Sequence, residues 1–199
     1  MTGSTDPRYV EAIARFQTLF SRAGECGLRE PTAMNLATVD GSGRPSSRMV
    51  LLKQVDERGF VFYTNKKSLK GRQLEINPAA ALCFFWEPMM EQVRIEGVTE
   101  SVTDDEADTY WASRSRDSQI GAWASHQSEP LDARETLEKR FEDIRARYSA
   151  EPVPRPSHWS GYRLVPDMIE FWVGVDFRLH QRTCYRKQGQ AWTVTLLNP

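Results

Sequence analysis

Apolar residues recur along this chain with two different periods, and the change of period separates predicted helices from predicted strands. The segment 7–27 carries apolar residues at the spacing of one helix face, namely Ile13, Phe16, Leu19 and Phe20. Gly27 is a suitable terminus for that helix. Ser68 can cap a second, short helix that runs to about Ile76.

Alternating apolar and polar positions predict strands in the segments 33–65, 91–102 and 161–197. Turn signals divide these segments, and they are Asp40-Gly41, Arg58-Gly59 and Gln188-Gly189. Residues 79–86 form a compact apolar run instead, for which we expect a strand that is buried on both faces.

Helical signals interrupt the predicted strands in the middle of the chain. The capping box Thr103–Glu106 opens one helix, a second begins near Ser118, and a third, highly charged helix covers residues 132–148. The sum is a set of mostly antiparallel strands with helices inserted between them. This order predicts an α+β fold built around a β-barrel rather than a series of βαβ units.

Composition and charge narrow the class of protein. The chain has 199 residues, 40% of them apolar and 27% charged, which fits one domain or two very small ones. Because the formal net charge is −1, we expect neither nucleic acid nor a membrane surface as a partner. Three distant cysteines and three scattered histidines disfavour a disulfide scaffold and a metal site. The charged N-terminus and the lack of a long apolar run predict a cytoplasmic protein.

Four motifs that would indicate a particular chemistry are missing from the sequence. The chain contains no G-x-G-x-x-G after a strand, no Walker loop, no G-x-S-x-G elbow and no H-E-x-x-H. A Rossmann dinucleotide site, P-loop hydrolysis and zinc hydrolysis are therefore disfavoured. A phosphorylated ligand remains possible if side chains, rather than a glycine-rich loop, hold it.

Basic residues cluster at two places in the first half of the chain. Arg48 and Lys53 lie five residues apart. On one continuous strand their side chains would leave opposite faces roughly 17 Å apart, so they would reach two different phosphates. Four more cations crowd the start of the predicted short helix, namely Lys66, Lys67, Lys70 and Arg72. A helix N-terminus favours an anion there, and a solvated basic surface is the alternative.

Two further sets of polar side chains recur at regular spacing. Tyr110, Arg114 and Ser118 are four residues apart, so one continuous helix would present all three to a single oxyanion. An ordinary helix surface is the alternative.

Arg178, His180 and Arg182 alternate, so on a strand they would share one face and repel each other unless solvent or an anion separates them. The flanking aromatic residues favour an anion site over a solvated barrel exterior.

The order and spacing of several motifs resemble the pyridoxine/pyridoxamine 5′-phosphate oxidase family. These motifs are R-M-V-L-L-K, F-Y-T-N, S-R-S-R-D-S-Q-I-G-A-W-A-S-H-Q-S and E-F-W-x₅-R-L-H-x-R, and the resemblance covers the chain from about Glu30 to Pro199. It implies a single domain over residues 1–199 with the fold of an antiparallel split β-barrel and flanking helices. Residues 1–28 would form an N-terminal helical segment, and residues 161–199 would complete the barrel and the site. The family is a homodimer with FMN in clefts between the subunits.

The resemblance also implies a role for each residue that matches a family motif. The expected FMN contacts are Arg48, Met49, Val50, Leu51, Leu52, Lys53, Tyr63, Thr64, Lys70, Gln92, Gln127, Ser128, Trp172 and Arg182. The expected substrate-phosphate residues are Lys53, Tyr110, Arg114 and Ser118. The expected contacts to the pyridine ring are Arg178, Leu179 and His180, with Arg178 and His180 as the catalytic residues.

The implied reaction is the oxidation of pyridoxine or pyridoxamine 5′-phosphate to pyridoxal 5′-phosphate. A hydride would pass from the substrate to the flavin, and O₂ would reoxidise the flavin and leave as hydrogen peroxide. Two alternatives remain open. One is a related split-barrel flavin oxidase with another substrate, such as an oxidase of a phenazine pathway, and the other is a module that binds FMN or pyridoxal phosphate without turnover.

Four positions depart from the family pattern. Leu69 stands where the family has an arginine beside the flavin-phosphate lysine. The loss of one charge-assisted hydrogen bond costs about 2 kcal/mol unless a neighbouring cation compensates. Ser115 replaces a proline, which predicts a looser turn between the substrate-phosphate residues. The other two departures are Val173 and Gln181, which replace more polar or acidic residues.

Overall fold

The computed structural model describes residues 6–199, so residues 1–5 of the predicted N-terminal segment lie outside the described part. The described chain has five α-helices: α1 (Pro7–Glu25), α2 (Leu69–Ile76), α3 (Asp104–Ser113), α4 (Arg116–Ala124) and α5 (Arg134–Arg147). Its nine strands are β1 (Ala33–Val39), β2 (Pro45–Leu51), β3 (Gln54–Asp56), β4 (Gly59–Asn65), β5 (Ala79–Trp86), β6 (Glu91–Ser101), β7 (Trp159–Val173), β8 (Gln181–Gln188) and β9 (Ala191–Leu197). Two 3-10 turns lie at Glu87–Met89 and Asp176–Arg178.

All nine strands belong to one antiparallel sheet whose main path has the order β2-β1-β5-β6-β7-β4-β3. The long strand β7 organises it: one edge pairs with β6 along its length, while the other edge pairs first with β4 and then with β8. Because β8 continues to β9, the C-terminal strands extend the same sheet as the strands of the first half. The arrangement confirms the predicted α+β fold with an antiparallel sheet and flanking helices, whereas the single-domain organisation stays a prediction.

Helix α1 forms because the predicted apolar face is buried against the sheet. Asp6 caps it by accepting a hydrogen bond from the backbone N–H of Arg8, and Pro7 occupies the first helical position. Phe16 is fully buried, and its ring meets that of Phe60 edge-on with 4.8 Å between ring centroids. Burial of each such side chain contributes about 1.5–3 kcal/mol, so α1 is held by packing as much as by its caps.

A second, smaller apolar cluster joins the middle helices to the start of β7. Its buried members are Trp111, Ile120, Tyr148, Val153 and Trp159. Helix α5 contributes no fully buried residue and packs mainly on α4, which explains its charged sequence. Among residues 6–199, no helix combines the length and the apolar character that crossing a bilayer requires.

Most of the predicted local features are confirmed, with two corrections. Ser68 caps α2, Thr103 and Glu106 form the reciprocal capping box of α3, and α4 begins two residues before the predicted Ser118. The prediction that residues 79–86 are buried on both faces is wrong for this chain: Phe84 is fully buried but Phe85 is 51% exposed. Strand β5 buries one face, which carries Leu82, Phe84 and Trp86.

Candidate functional site

A cleft of about 390 Å³ lies where the end of β2, strand β4, and helices α2, α3 and α4 converge. We call it the anion cleft. Eleven of the predicted site residues line it, and they are Met49, Val50, Leu51, Lys53, Tyr63, Thr64, Lys70, Tyr110, Arg114, Ser118 and Gln127. The structure therefore brings these residues together, although they come from segments nearly 80 positions apart, and their binding roles stay a prediction.

Lys70 is the buried cation at one end of the anion cleft. Its residue is only 9% exposed, and Nζ lies 2.7 Å from Gln127 Oε1 and 3.2 Å from Thr64 Oγ1. Burial, and then the charge of Arg48, lower the pKa of Lys70 to about 8. Within residues 6–199 no carboxylate forms an ion pair with it. A charged lysine held by neutral oxygens alone is a site that an anion stabilises.

Gly71 makes this position of Lys70 possible. A Cβ at residue 71 would lie 2.1 Å from the carbonyl oxygen of Lys66, so no other residue fits without moving the backbone. The first turn of α2 can therefore fold tightly onto the preceding turn, with Ser68 accepting the N–H of Gly71. The close approach brings Lys70 to the end of β4, where Thr64 lies.

Arg48 lies beside the anion cleft and not on its wall. Its guanidinium donates to Thr38 Oγ1 at 2.6 Å, to Ser46 Oγ at 2.9 Å and to the carbonyl oxygen of Leu36 at 3.2 Å. Burial lowers the pKa of Arg48, and the group forms no ion pair in the described part of the chain. The prediction that one strand carries Arg48 and Lys53 to opposite sites needs correction, because β2 ends at Leu51.

Tyr110, Arg114 and Ser118 meet in the anion cleft, but not on one helix face as predicted. Helix α3 ends at Ser113, Arg114 has an extended ψ of 147°, and α4 begins at Arg116. The kink turns Arg114 back so that its Nη2 donates to the carbonyl oxygen of Ser118 at 3.0 Å. Its Nε is buried and has no hydrogen-bond partner in the described structure. An oxyanion in the cleft is the type of acceptor that this group lacks.

Ser115, the departure from the family proline, caps α4. Its Oγ accepts the backbone N–H of Ser118 at 3.4 Å and lies 2.8 Å from the Ser118 hydroxyl. The Ser115 side chain thus caps α4, where a proline ring would restrict the backbone instead, and the expectation of a looser turn stays a prediction.

Three nearly parallel aromatic rings form the floor of the cleft under Arg114. Tyr63 lies 4.1 Å from Tyr110 and 5.3 Å from Trp159 between ring centroids, with interplanar angles of 18° and 8°. The Tyr63 hydroxyl donates to the carbonyl oxygen of Glu106 at 3.2 Å. Burial, and then the charge of Glu106, raise the pKa of Tyr63, so its phenol stays protonated. Gly161 leaves the space for this ring, since a Cβ there would lie 2.8 Å from it.

Six further predicted site residues lie in a second region, formed by the ends of β6 and β7 and the chain up to β8, and they are Gln92, Trp172, Arg178, Leu179, His180 and Arg182. We call residues 172–182 the outer segment. Gln92 is paired with Trp172, and Trp172 with Arg182, in the sheet register. The His180 ring lies 4.8 Å from that of Trp172, and its Nδ1 accepts the N–H of Val175 at 3.3 Å. In the neutral imidazole, Nε2 therefore carries the proton and is free to donate.

The prediction that Arg178, His180 and Arg182 share a strand face is wrong. Strand β8 begins at Gln181, and Arg178 closes a 3-10 turn with φ = 61°. The charge of Arg182 is also compensated within the chain, because its Nε donates to Glu170 at 2.8 Å and this bond raises the pKa of Arg182. Glu170 is 3% exposed and also pairs with Arg94 at 3.0 Å. The argument from mutual repulsion overlooked this carboxylate on the neighbouring strand.

The two regions do not meet within one chain, since no residue of the outer segment lines the anion cleft. Two other predicted flavin contacts also lie off its wall. The Leu52 side chain belongs to the main core at 3% exposure, and Ser128 is exposed with φ = 73°. Three cations close to Leu69 in sequence, any of which could compensate for the missing arginine, line a neighbouring groove, and they are Lys66, Lys67 and Arg72.

Sequence reasoning missed several residues that shape the site. Trp159 lines the cleft, Gln73 accepts hydrogen bonds from Thr38 and Ser46 beside Arg48, and Glu170 holds Arg182. Arg182 lies two residues before Cys184, which is the residue that pairs with Glu170 in the sheet register. The contact between Arg182 and Glu170 could therefore have been predicted only once that register was known. In the described chain no cluster of three potential metal ligands occurs.

Comparison with known proteins gives a consistent result. A family model described as pyridoxamine 5′-phosphate oxidase matches residues 21–148, and a second, described as the pyridoxine 5′-phosphate oxidase C-terminal dimerisation region, matches residues 159–199. A pyridoxine/pyridoxamine 5′-phosphate oxidase of Myxococcus xanthus is 54% identical over 95% of this chain and 92% of its own length. One of Alkalilimnicola ehrlichii is 53% identical over 95% of this chain and 97% of its own.

Among solved structures, PhzG of Burkholderia lata in complex with tetrahydrophenazine-1-carboxylic acid has a TM-score of 0.91. It is 34% identical and covers 97% of this chain and 96% of its own. A pyridoxamine 5′-phosphate oxidase-related, FMN binding protein of Nostoc punctiforme has a TM-score of 0.74 at 19% identity, over 92% and 97% of the two chains. The split-barrel fold expected from the sequence is thereby confirmed.

Proposed function

Since the chain belongs to the pyridoxamine 5′-phosphate oxidase family of oxidoreductases, we propose that it is an FMN-dependent oxidase that converts pyridoxine or pyridoxamine 5′-phosphate to pyridoxal 5′-phosphate. One observation carries the proposal beyond family membership. Three cations line the anion cleft without a carboxylate partner in residues 6–199, and they are Lys53, Lys70 and Arg114. A site that binds two phosphorylated molecules needs this unpaired positive charge.

The residues around Lys70 suit the phosphate of FMN. Lys70 offers an ammonium group, Thr64 a hydroxyl and Gln127 an amide, all within 3.3 Å of one another through their hydrogen bonds. Arg48 adds a second positive charge close enough to lower the pKa of Lys70. A phosphate dianion bound here would compensate the unfavourable burial of two positive charges close together.

The residues around Arg114 suit the phosphate of the substrate. The guanidinium has an unpaired Nε, and the hydroxyls of Tyr110 and Ser118 line the same wall. Lys53 lines the same cleft. A planar guanidinium with neighbouring hydroxyls is a good donor set for a phosphate monoester.

The outer segment supplies the contacts to the substrate ring in this proposal, from the partner subunit of a homodimer. The segment lies in the part of the chain that matches the dimerisation region. Arg178 and Leu179 are exposed in the single chain, and so is Phe177 at 91%. A second copy that covers this surface would place Arg178 and His180 over its own anion cleft, with Gln92, Trp172 and Arg182 beside the flavin.

Bound FMN would supply the redox chemistry, which is a two-electron oxidation of the substrate with O₂ as the final acceptor. The protein side chains bind and orient. The cations of the anion cleft fix the substrate through its phosphate, so that the reacting carbon is held in one position. Arg178 orients the ring substituents, and the Nε2–H of His180 donates a hydrogen bond to a polar group of the substrate. Neither residue needs to act as an acid or base for this role.

The first experiment is an assay of the FMN-loaded protein in air with pyridoxine 5′-phosphate and with pyridoxamine 5′-phosphate. We expect pyridoxal 5′-phosphate and hydrogen peroxide in equal amounts. Bound FMN with neither product would contradict the proposal and favour a non-catalytic binding module.

One alternative has a specific observation in its favour. The likeness to PhzG suggests a substrate such as a tetrahydrophenazine carboxylic acid, which has no phosphate. Oxidation of that compound at a higher kcat/KM than of either phosphorylated vitamer would support this alternative. The unpaired cations around Arg114 argue for the phosphorylated substrate.

A further inference from the structure

Trp159 supports the part of the anion cleft that is proposed to bind the substrate phosphate. It is the first residue of β7, is 4% exposed and pairs with Asn65 of β4. Its ring lies 6.0 Å from that of Tyr110 at an interplanar angle of 11°. The guanidinium carbon of Arg114 lies 5.1 Å from the centre of the same ring. Two of the proposed phosphate ligands therefore contact one indole.

The position of the indole is fixed from several sides. The backbone N–H of Trp159 donates to the carbonyl oxygen of Pro156 at 2.9 Å, and its own carbonyl oxygen accepts from Arg155 at 3.1 Å. Trp111 packs against the ring edge-on with 4.9 Å between centroids. A ring with this few degrees of freedom can act as a rigid surface for the longer side chains above it.

We propose that Trp159 is a positioning residue that orders Arg114 and Tyr110 toward the substrate phosphate and thereby sets the preference for phosphorylated over unphosphorylated substrates. The inference rests on the proposed function of the cleft and deepens it. Trp159 itself offers no charge to a phosphate. Its effect is exerted through the two residues that it contacts.

The physical reason lies in the length of the arginine side chain. A free guanidinium has many rotamers, and binding an anion requires that most of them be given up. Contact with the face of an indole favours a few of them through cation–π attraction. The only hydrogen bond from the Arg114 guanidinium in the described chain goes to Ser118, so ring contacts supply the second constraint. The nearer of the two rings is Trp159 at 5.1 Å, and Trp111 lies at 5.8 Å.

The test compares Trp159→Leu with Trp123→Leu. Trp123 is a matched control because it packs on the same cluster and contacts Tyr148 and His158, but has no ring or cation contact with Arg114 or Tyr110. For each variant, kcat and KM are measured with pyridoxamine 5′-phosphate and with pyridoxamine.

We expect Trp159→Leu to lower the ratio of the two kcat/KM values about tenfold, mainly through a higher KM for the phosphorylated substrate. Trp123→Leu should leave the ratio within about twofold of the wild-type value. An unchanged ratio in Trp159→Leu, or an equal decrease in both variants, would overturn the inference. Trp159→Phe, which keeps a smaller aromatic face, should lower the ratio by an intermediate amount of about threefold, and it serves where the leucine variant does not fold.

A binding measurement separates this inference from the proposed activity. Calorimetric titration of the FMN-loaded protein with pyridoxal 5′-phosphate, and separately with inorganic phosphate, needs no turnover. If the wild type binds both and Trp159→Phe or Trp159→Leu binds them more weakly while Trp123→Leu does not, the positioning role stands even if no oxidation occurs. Equal binding by all variants, or no binding by the wild type, would refute it.

Discussion

The anion cleft and the outer segment are built in opposite ways, although both carry residues of one proposed active site. In the cleft, Lys70 is 9% exposed and is hydrogen-bonded by Thr64 of β4 and by Gln127 of the chain after α4. In the outer segment, Phe177 is 91% exposed, and both it and Arg178 have positive φ. The cleft is organised by the core of its own chain, whereas the outer segment has an unusual backbone with little of its own chain packed upon it.

This difference suggests that the two regions contribute to the site at different stages, one on folding and the other on dimerisation. A preformed cleft can bind phosphates without a large change of structure, because the cost of ordering its side chains is met during folding. A backbone with two consecutive positive φ angles outside glycine costs about 1–3 kcal/mol per residue unless surrounding contacts stabilise it. In our proposal the partner subunit provides those contacts, so the second half of the site is completed on dimerisation.

The largest expected effect tests the cleft. Lys70→Met should weaken FMN binding about hundredfold, or about 2.8 kcal/mol, because a charge-assisted hydrogen bond to the phosphate is lost in a buried site. Titration of the apoprotein with FMN, followed by flavin fluorescence, measures this. Lys66→Met is the control, since Lys66 lines the neighbouring groove and its loss should change the dissociation constant less than about twofold. Equal weakening by both substitutions would mean that the phosphate lies in that groove.

The next prediction tests whether the two regions belong to different subunits. Arg178→Ala and Arg114→Ala should each lower kcat/KM about thirtyfold, through loss of about 2 kcal/mol of substrate orientation or binding. Arg178→Ala should keep its FMN. When the two variants are unfolded together and refolded, half of the dimers are mixed, and each of these has one intact site only if the regions meet across the interface. Activity should then recover to about one quarter of the wild-type value.

Recovery after mixing has a clear negative result. If one subunit supplied both regions of a site, every site in a mixed dimer would carry one substitution and activity would stay at the level of the single variants. Arg186→Ala on the exposed side of β8 is the control for a general effect of removing an arginine near the outer segment. It should retain wild-type activity before mixing.

Each region could be predicted to the extent that its interacting residues lie close together in sequence. Helix signals that depend on three or four neighbouring residues were reliable, as the caps Ser68 and Thr103 show. The run from Tyr110 to Ser118 was predicted as one helix face because the spacing does not reveal the break, which the Ser115 cap creates. The family motifs still identified the residues that meet there.

The outer segment was harder to predict because its structure depends on long-range pairing. Alternation of Arg178, His180 and Arg182 suggested a strand, but the positive φ angles have no local sequence signal such as glycine. The partner of Arg182 became evident only from the register that sets Glu170 beside it, 12 residues away in sequence. Leu52 was likewise predicted as a flavin contact, but its side chain is buried in the core and does not line the cleft.

A smaller effect is expected for the pH dependence of FMN binding in the cleft. The pKa of Lys70 is lowered to about 8 in the FMN-free protein, and a bound phosphate would raise it again. Above pH 8 the Lys70 ammonium group of the FMN-free protein has mostly lost its proton. FMN binding must then take up a proton, so the affinity for FMN decreases as the pH rises. The dissociation constant should rise about fivefold between pH 8 and pH 9. Lys70→Arg should show a flat profile over this range, since a guanidinium stays charged; the same rise in that variant would assign the proton to another group.

The smallest expected effect concerns the turn that joins the two helices above the cleft. Ser115→Ala removes the cap of α4 and should lower the free energy of unfolding by about 1 kcal/mol, measured by urea denaturation. Because the Ser118 N–H and hydroxyl both contact the Ser115 side chain, KM for the phosphorylated substrate should also rise a few-fold while FMN binding is unchanged. Ser149→Ala is the control, as Ser149 is exposed and only its backbone is hydrogen-bonded. An effect on stability without an effect on KM would show that the position of Ser118 does not depend on its cap, and that the convergence of Arg114 and Ser118 is set by the aromatic floor instead.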